Sequence, residues 1–521
     1  MKNLGVDEFM NSSKWIWKLA ILFLVILLAA CGNNEQTDSE PTGTGGEGNG
    51  NGSESDEPFE LSIMATLHTP EIPNDRLHDL LEEATNTELE IQWVPDSNYE
   101  ERLNTAFATG TLPQAVGMGF NMFTQFKEAI RDDQFWEIGP YLDEFENLSK
   151  LKPEILENTM VDGKIYSLYQ GRPLSRQGVI YRKDWADNLG LGEPKTTDDI
   201  FEMARAFTED DPDGNGNNDT MGLTDRSDLV YGAFKTIASW FGTPNEWGFE
   251  GDELQPEFMF PEYKEAMDFM KDMHSNNYMN QDFPVTSKDD QQAMFKNGTA
   301  GIYIGSLPDV QSIYNDASDL NPDIEFDVAN QIQGPDGEYG IWAIPGFGSV
   351  VLFPKSSIET EDELRSVLQF YDHLMTTEVA NMLIWGIEGE HYTVEDGMAL
   401  ANEENRNKID TEIRPFLSLE VGEPDTSGRY EAKSNYEVKS KADELVKDNE
   451  NYLIHDPTVP LDSDTFIRSS ESLKQIMDDA TYKYILGQID EAGFDAAIDN
   501  WKNSGGQAVI DEYNESYKAL Q

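Results

Sequence analysis

An alternation of two hydrophobic periods constrains this chain most. Phe59 to Leu67 reads as a strand, Asn74 to Asn86 carries Leu77, Leu80, Leu81 and Ala84 at helical spacing, and Leu89 to Val94 returns to strand character. Strand, helix and strand in close succession open an α/β domain, because parallel neighbours need a helical crossover. The pattern recurs with a helix near Tyr99 to Thr109, a strand at Ala115 to Gly119 and a helix at Met122 to Asp132. Further on, Thr196 to Phe207 is a helix whose entry, Thr196-Thr197-Asp198-Asp199, supplies capping hydroxyls and carboxylates. Pro261 to Asn276 carries a core stripe of Tyr263, Ala266, Met267, Met270 and Met273, and Glu363 to Met375 turns Leu364, Val367, Leu368, Tyr371 and Leu374 inward. Ala300 to Ile304 and Ser349 to Phe353 read as buried strands. After about Glu420 the pattern is mostly helical, with helices at Ser469 to Leu486, Ile489 to Ile498 and Ala508 to Leu520.

The 521 residues suffice for two or three domains. Against 37 Lys and Arg stand 99 Asp and Glu, a net charge of −62, which repels phosphate backbones and excludes nucleic acid as a partner. Such an excess of acid is tolerated best in salt, where screening weakens self-repulsion. The single Cys excludes an internal disulfide framework, a Cys-x-x-Cys motif and a thiolate metal cluster. The chain has no Gly-x-Ser-x-Gly elbow, His-Glu-x-x-His pair or Walker loop.

Lys14 and Lys18 precede an apolar run, Leu19 to Ala30, that is too short for a permanent membrane span and reads as a signal-peptide core. It ends in Leu28-Ala29-Ala30-Cys31-Gly32, which resembles the bacterial lipobox. That implies a signal peptide over 1–30 and lipidation (palmitate) of Cys31 at the outer face of the cell membrane; the alternative is an ordinary cleavage site with an incidental Cys. Residues 31–58 form a tether of Gly, Asn, Ser, Thr and Glu, without Lys or Arg, that as a flexible coil reaches on the order of 30 Å.

Asp211, Asp213, Asn215 and Asp219 place oxygen side chains at alternate positions around Gly214 and Gly216. A tight loop of this kind can fold carboxylates and a carbonyl around one cation, as an EF-hand does; a solvated turn is the alternative. No bidentate Glu stands at the twelfth position, where Gly222 is found.

Three segments carry a family resemblance. They are Gly163-Lys164-Ile165-Tyr166 with Arg172-Pro173 and Gly178 to Leu191; Pro194-Lys195-Thr196 with Asp211 to Leu223; and Trp385-Gly386-Ile387-Glu388-Gly389-Glu390-His391-Tyr392 with Asp396-Gly397. Together they resemble the extracellular solute-binding proteins (family 1, lipoprotein branch) of carbohydrate ABC transporters, including alginate- and rhamnogalacturonan-oligosaccharide binders. The resemblance implies an α/β, two-lobe periplasmic-binding-protein-like fold with a cleft between discontinuous lobes. The expected lobes are 59–174 with 345–420, and 175–344 with 421–521, joined by crossings near Gly171 to Gly178, Gly340 to Gly348 and within Arg414 to Gly428. It implies structural calcium on Asp211, Asp213, Asn215, the carbonyl of Asn217 and Asp219, in the second lobe; Thr220 stands where some relatives have another acid.

A sugar cleft needs flat aromatics for C–H faces and planar polar groups for hydroxyls. Trp240, Trp247, Trp342 and Trp385 lie in Gly, Pro and Asn-bearing segments and are the expected stacking residues, with core packing as the alternative for each. Arg172 and Arg176 either take a uronate carboxylate or stiffen the hinge, and Glu388, His391 and Tyr392 form a second polar cluster. The expected protein is a non-enzymatic, monomeric lipoprotein that captures an oligosaccharide by hinge closure and passes it to ABC permease subunits. A tethered carbohydrate sensor or adhesion lipoprotein, or a surface glycan-degrading enzyme, are the competing readings.

Overall fold

The computed structural model describes residues 58–69 and 71–519. The signal peptide, Cys31 and nearly all of the tether lie outside the described residues. Strands and helices occur where the two periods place them. Phe59–Leu67 and Ala115–Gly119 are strands, Asp75–Thr85 is the first helix, and Thr87–Pro95 follows it. Asn74 caps that helix by accepting from Arg76 N, and Asn86 ends it in the left-handed region at φ 51°. Thr196 and Asp199 form a reciprocal capping box on helix Thr197–Glu209.

Two larger sheets organise the molecule. In the first, the order is Thr87–Pro95, Phe59–Leu67, Ala115–Gly119, Phe347–Leu352, Ser167–Gly171. The first three are parallel, while Phe347–Leu352 runs antiparallel to both of its neighbours. The second sheet is mixed: Phe326–Ala329, Gln177–Arg182, Ala300–Ser306, Met221–Thr224, with only the last pair parallel. Each sheet has its own core. One gathers residues between Leu61 and Leu174 with others between Phe347 and Val421. The other gathers residues from Val179 to Ile332 with the C-terminal helices, through Leu473, Tyr484, Trp501 and Tyr513.

The chain passes between the cores along backbone segments that bond to each other. Gly171 N donates to Gly422 O (2.9 Å), Gly422 N to Tyr169 O (2.8 Å), Arg172 N to Gly346 O (2.8 Å) and Ile344 N to Leu174 O (2.8 Å). Gly171 is required there, since a Cβ would lie 2.6 Å from the Gly422 carbonyl oxygen.

Strand Met221–Thr224 packs on helix Thr197–Glu209 through Gly222, where an added Cβ would sit 2.5 Å from Ala204 Cα. Backbone cannot yield as a side chain can, so Gly222→Ala is expected to cost about 1–3 kcal/mol. Urea unfolding checks this: the midpoint should fall with little change in slope.

Candidate functional site

A cavity of about 330 Å³ opens between the two cores. Helix Phe120–Arg131, anchored in the first core by Phe123, Phe126 and Ile130, gives it Phe120, Thr124 and Lys127. The opposite wall holds Tyr231, Glu246, Trp247, Phe466 and Tyr513, and Trp342 to Pro345 pass beneath. Phe120 directly follows strand Ala115–Gly119, and Tyr231 lies in the loop after strand Met221–Thr224. These are the carboxyl ends of parallel strands, where open α/β sheets bind ligands.

The aromatic groups brace one another. Tyr231 meets Trp342 edge-on at 5.6 Å, Trp247 meets Tyr513 edge-on at 5.0 Å, and Phe120 tilts against Phe347 at 5.7 Å. Trp247 and Trp342 are buried, the latter donating Nε1–H to Thr236 Oγ1 at 3.0 Å. In contrast Phe120, Tyr231 and Phe466 are 43%, 48% and 41% exposed, leaving ring surface free at the mouth.

Charge in the cavity is mostly acidic. Asp462 accepts from Lys127 Nζ at 3.2 Å and pairs with Arg131, which also reaches Asp162 at 3.1 Å. Those contacts join the helix on the first core to a segment packed on the second. Asp456 accepts from Thr458 N (2.8 Å) and Oγ1 (2.7 Å), yet burial, with Glu246 adding to it, pushes its carboxyl up to about 7. Nearby the buried Lys235 ammonium bonds Glu246 (2.5 Å) and Glu257 (2.9 Å).

Not all of the expected residues meet here. Trp247 and Trp342 do. Trp240 is 1% exposed and belongs to the second core, because every residue of helix Ala233–Trp240 is buried. Arg172 and Trp385 border a different cavity of about 670 Å³, with Arg429 and Tyr430, that shares no lining residue with the first. Arg176 is half-buried and borders neither of these two. Glu388 and Tyr392 flank a third, of about 550 Å³. His391 is fully buried and is not a ligand contact: its Nδ1 accepts from Ile387 N at 3.0 Å, and burial drives its pKa down, so it folds its own loop as a neutral ring.

The Asp211 segment is a tight loop. Asp211 adopts φ 48°, Gly214 and Gly216 are also left-handed, and Asp211 Oδ2 accepts from Gly216 N at 3.0 Å. Asn215 Nδ2 donates to Asp213 Oδ2 (2.7 Å) and Asp219 Oδ1 (3.2 Å), so a donor sits between two carboxylates. Asp211 Oδ1 is buried without a hydrogen-bond partner, and an oxygen in that position suits a cation. Thr220 is not directed at the loop; its hydroxyl donates to the Phe207 carbonyl at 2.8 Å.

Phe120, Lys127, Tyr231, Asp456, Asp462, Phe466, Arg429 and Tyr430 were not legible as site residues. For Phe120 the position just past a strand was the available signal. Asp462 and Arg429 stand in polar joints with no periodicity to mark them.

Residues 72–380 match the family of bacterial extracellular solute-binding proteins. Over 509 residues the chain is 42% identical to the polygalacturonan/rhamnogalacturonan-binding protein YtcQ of Bacillus subtilis (strain 168), covering 97% of this chain and 99% of that one. This chain belongs to the bacterial extracellular solute-binding protein family. Lipoprotein LipO of the same organism is 31% identical over 514 residues, covering 97% and 98%. Among solved structures, an HMO-binding, ABC-transporter-associated solute-binding protein from Bifidobacterium longum infantis superposes with a TM-score of 0.67 at 16% identity, covering 89% of this chain and 99% of that one. An EF-hand mutant of the Streptococcus pneumoniae ABC-transporter substrate-binding protein FusA, in complex with fructo-nystose, gives 0.57 at 19% identity, covering 89% and 100%. The two-lobe α/β expectation holds, and with membership of a family of binding proteins the enzyme reading falls. Among the described residues no helix is long and apolar enough to cross a membrane.

The cavity acid has a measurable consequence. A carboxyl raised from 3.8 to about 7 on folding holds its proton more tightly in the folded state, so its contribution is present below the unfolded value and is lost as pH rises through about 7. Asp456→Asn should therefore gain melting temperature relative to wild type on going from pH 4.5 to pH 8. Thermal denaturation of both chains across that range measures the difference, and a constant offset would contradict the assignment.

Proposed function

We propose that the protein captures an oligosaccharide in the cavity between its lobes, closes on it by a hinge at the bonded crossings, and delivers it to an ABC permease. The observation that carries this reading is the open ring surface of Phe120, Tyr231 and Phe466, backed by Trp247 and Trp342, at the mouth of a cavity walled by both cores. Rings of that kind fit the C–H faces of sugars, and the carboxylates of Glu246, Asp456 and Asp462 are acceptors for hydroxyl groups. A ligand touching both walls stabilises the closed arrangement by its differential affinity. The name of the relative YtcQ favours a pectin-type, uronate-containing chain as cargo. The lobes are assigned as 59–174 with 345–420 and 175–344 with 421–521, which the two cores support apart from Val421, buried in the first, and Leu453, packed against it. Signal peptide 1–30 and a lipid on Cys31 would hold the protein beside its permease at the outer face of the membrane, raising effective concentration; the likeness to lipoprotein LipO supports this.

The reading predicts saturable calorimetric binding of pectin-derived oligosaccharides to the full-length chain in detergent, without release of shorter sugars. Tyr231→Ala and Phe466→Ala, both at half-exposed rings, should each weaken it about tenfold, or 1.4 kcal/mol. Unchanged affinity in both variants would remove this cavity from the function.

Calcium is assigned to Asp211, Asp213, Asn215, the Asn217 carbonyl and Asp219, in a structural role. The support is the orphaned Asp211 Oδ1, the loop's left-handed turns and the EF-hand named for the FusA structure. At calcium ten times its dissociation constant, stabilisation is about 1.4 kcal/mol. Calcium should raise the melting temperature by roughly 2 °C, and Asp213→Ala should abolish that rise.

A further inference from the structure

Helix Asp75–Thr85 buries Leu77 and Leu81 in the first core and lies beside Thr87–Pro95, the edge strand of the first sheet. His78 and Glu82 stand one turn apart on a shared flank of that helix. A single residue of the strand holds both: the Leu89 carbonyl accepts from His78 Nε2 (3.0 Å), and Leu89 N donates to Glu82 Oε1 (2.8 Å). A carbonyl oxygen can only accept, so His78 carries a proton on Nε2, and its Nδ1 is turned toward the second carboxylate oxygen of Glu82. Asp79 completes the group. Nδ1 lies 3.8 Å from Asp79 Oδ1 and 3.8 Å from Glu82 Oε2, and one ligand atom from each of the three residues lies within 4.8 Å of the other two.

Those separations are too long for hydrogen bonds and close to the edge of a metal's ligand shell. A proton on Nδ1 would draw a carboxylate oxygen to about 2.8 Å, whereas ligands on a tetrahedral ion with bonds of about 2.0–2.1 Å lie about 3.4 Å apart. The difference is a movement of about 0.4 Å, which the Asp79 side chain, 74% exposed, is free to make. Among the described residues neither carboxylate pairs with a lysine or an arginine, so two negative charges and a ring nitrogen share this space with no basic side chain to offset them. The Leu89 contacts have the form that supports a metal-bound imidazole, in which the far N–H is given to a carbonyl and so fixes tautomer and ring direction. One imidazole and two carboxylates suit a divalent transition ion of the zinc class rather than calcium, which takes six to eight oxygens. Three protein ligands leave the fourth position to water. None of the three residues lines the cavities described above.

We propose that His78, Asp79 and Glu82 bind one divalent ion of the zinc class, which staples helix Asp75–Thr85 to the edge strand through the residues that Leu89 already holds. The inference does not depend on saccharide binding. The test is calorimetric titration of the full-length chain in detergent with zinc chloride, in excess calcium so that the Asp211 loop does not compete. Cobalt(II) gives a parallel readout, because a tetrahedral site makes its visible d–d bands intense. One equivalent of zinc should bind at about micromolar affinity or tighter, and cobalt should develop those bands. His78→Gln and Glu82→Gln should each weaken that equivalent at least tenfold and remove the bands. Both variants should fold, since a glutamine amide can still donate to the Leu89 carbonyl in the first and still accept from Leu89 N in the second. Absence of a zinc equivalent or of tetrahedral cobalt bands in the wild-type chain overturns the site. So does an equivalent indifferent to His78→Gln, or one that magnesium displaces at equal concentration.

Discussion

The architecture depends on where one strand goes. Phe347–Leu352 inserts between Ala115–Gly119 and Ser167–Gly171, antiparallel to both, after the chain has built an entire second sheet. That return makes the lobes discontinuous, because the segment between Gln177 and Ala329 builds on its own sheet and the chain must leave again for its C-terminal helices to complete that second core. It also brings the crossings side by side, where Gly171, Arg172, Ile344 and Gly422 exchange backbone bonds. A sheet completed from distant sequence thus yields a joint, and two cores on one joint yield a cavity between them.

Charge is distributed unevenly over that frame. The cavity between the lobes holds mostly acids, with Lys127 committed to Asp462, whereas the cavity at Trp385 mixes Arg172, Arg429 and three lysines with six carboxylates. In a chain with 99 acids and 37 bases, carboxylates lining a cavity are expected by number, and even Arg429 is paired, with Glu420.

Much of the frame was legible because its elements carry strong periods. Phe59–Leu67 and Ala115–Gly119 match their expected limits, and the Pro261–Ser275 stripe of Tyr263, Ala266, Met267, Met270 and Met273 is buried as its spacing requires. The tight turn at Asp211 was legible for a different reason: its geometry is local, set by glycines and oxygen side chains within nine positions of one another. The cavity residues were not, since cavity lining is a long-range property. Trp240 and Trp342 have similar surroundings in sequence, yet one sits in a wholly buried helix and the other beneath the cavity. His391 looked like a polar contact because its neighbours are polar; only the turn that carries Ile387 N to its Nδ1 shows why it is there.

The bridge at Asp462 bears on how such a molecule closes. Arg131 and Asp462 are 26% and 32% exposed, so the pair is partly solvated and worth about 0–1 kcal/mol. Moving a two-state equilibrium from mostly open to mostly closed takes several times that energy. The ion pairs with Lys127 and Arg131 therefore set the register in which the lobes meet without fixing the lobes there. The remaining energy must come from a ligand that wets both walls, and the exposed rings of Phe120 on one side and Tyr231 and Phe466 on the other are where it is available. Screening acts on the bridge more than on the rings, so rising salt shifts the burden of closure further onto the ligand's apolar contacts.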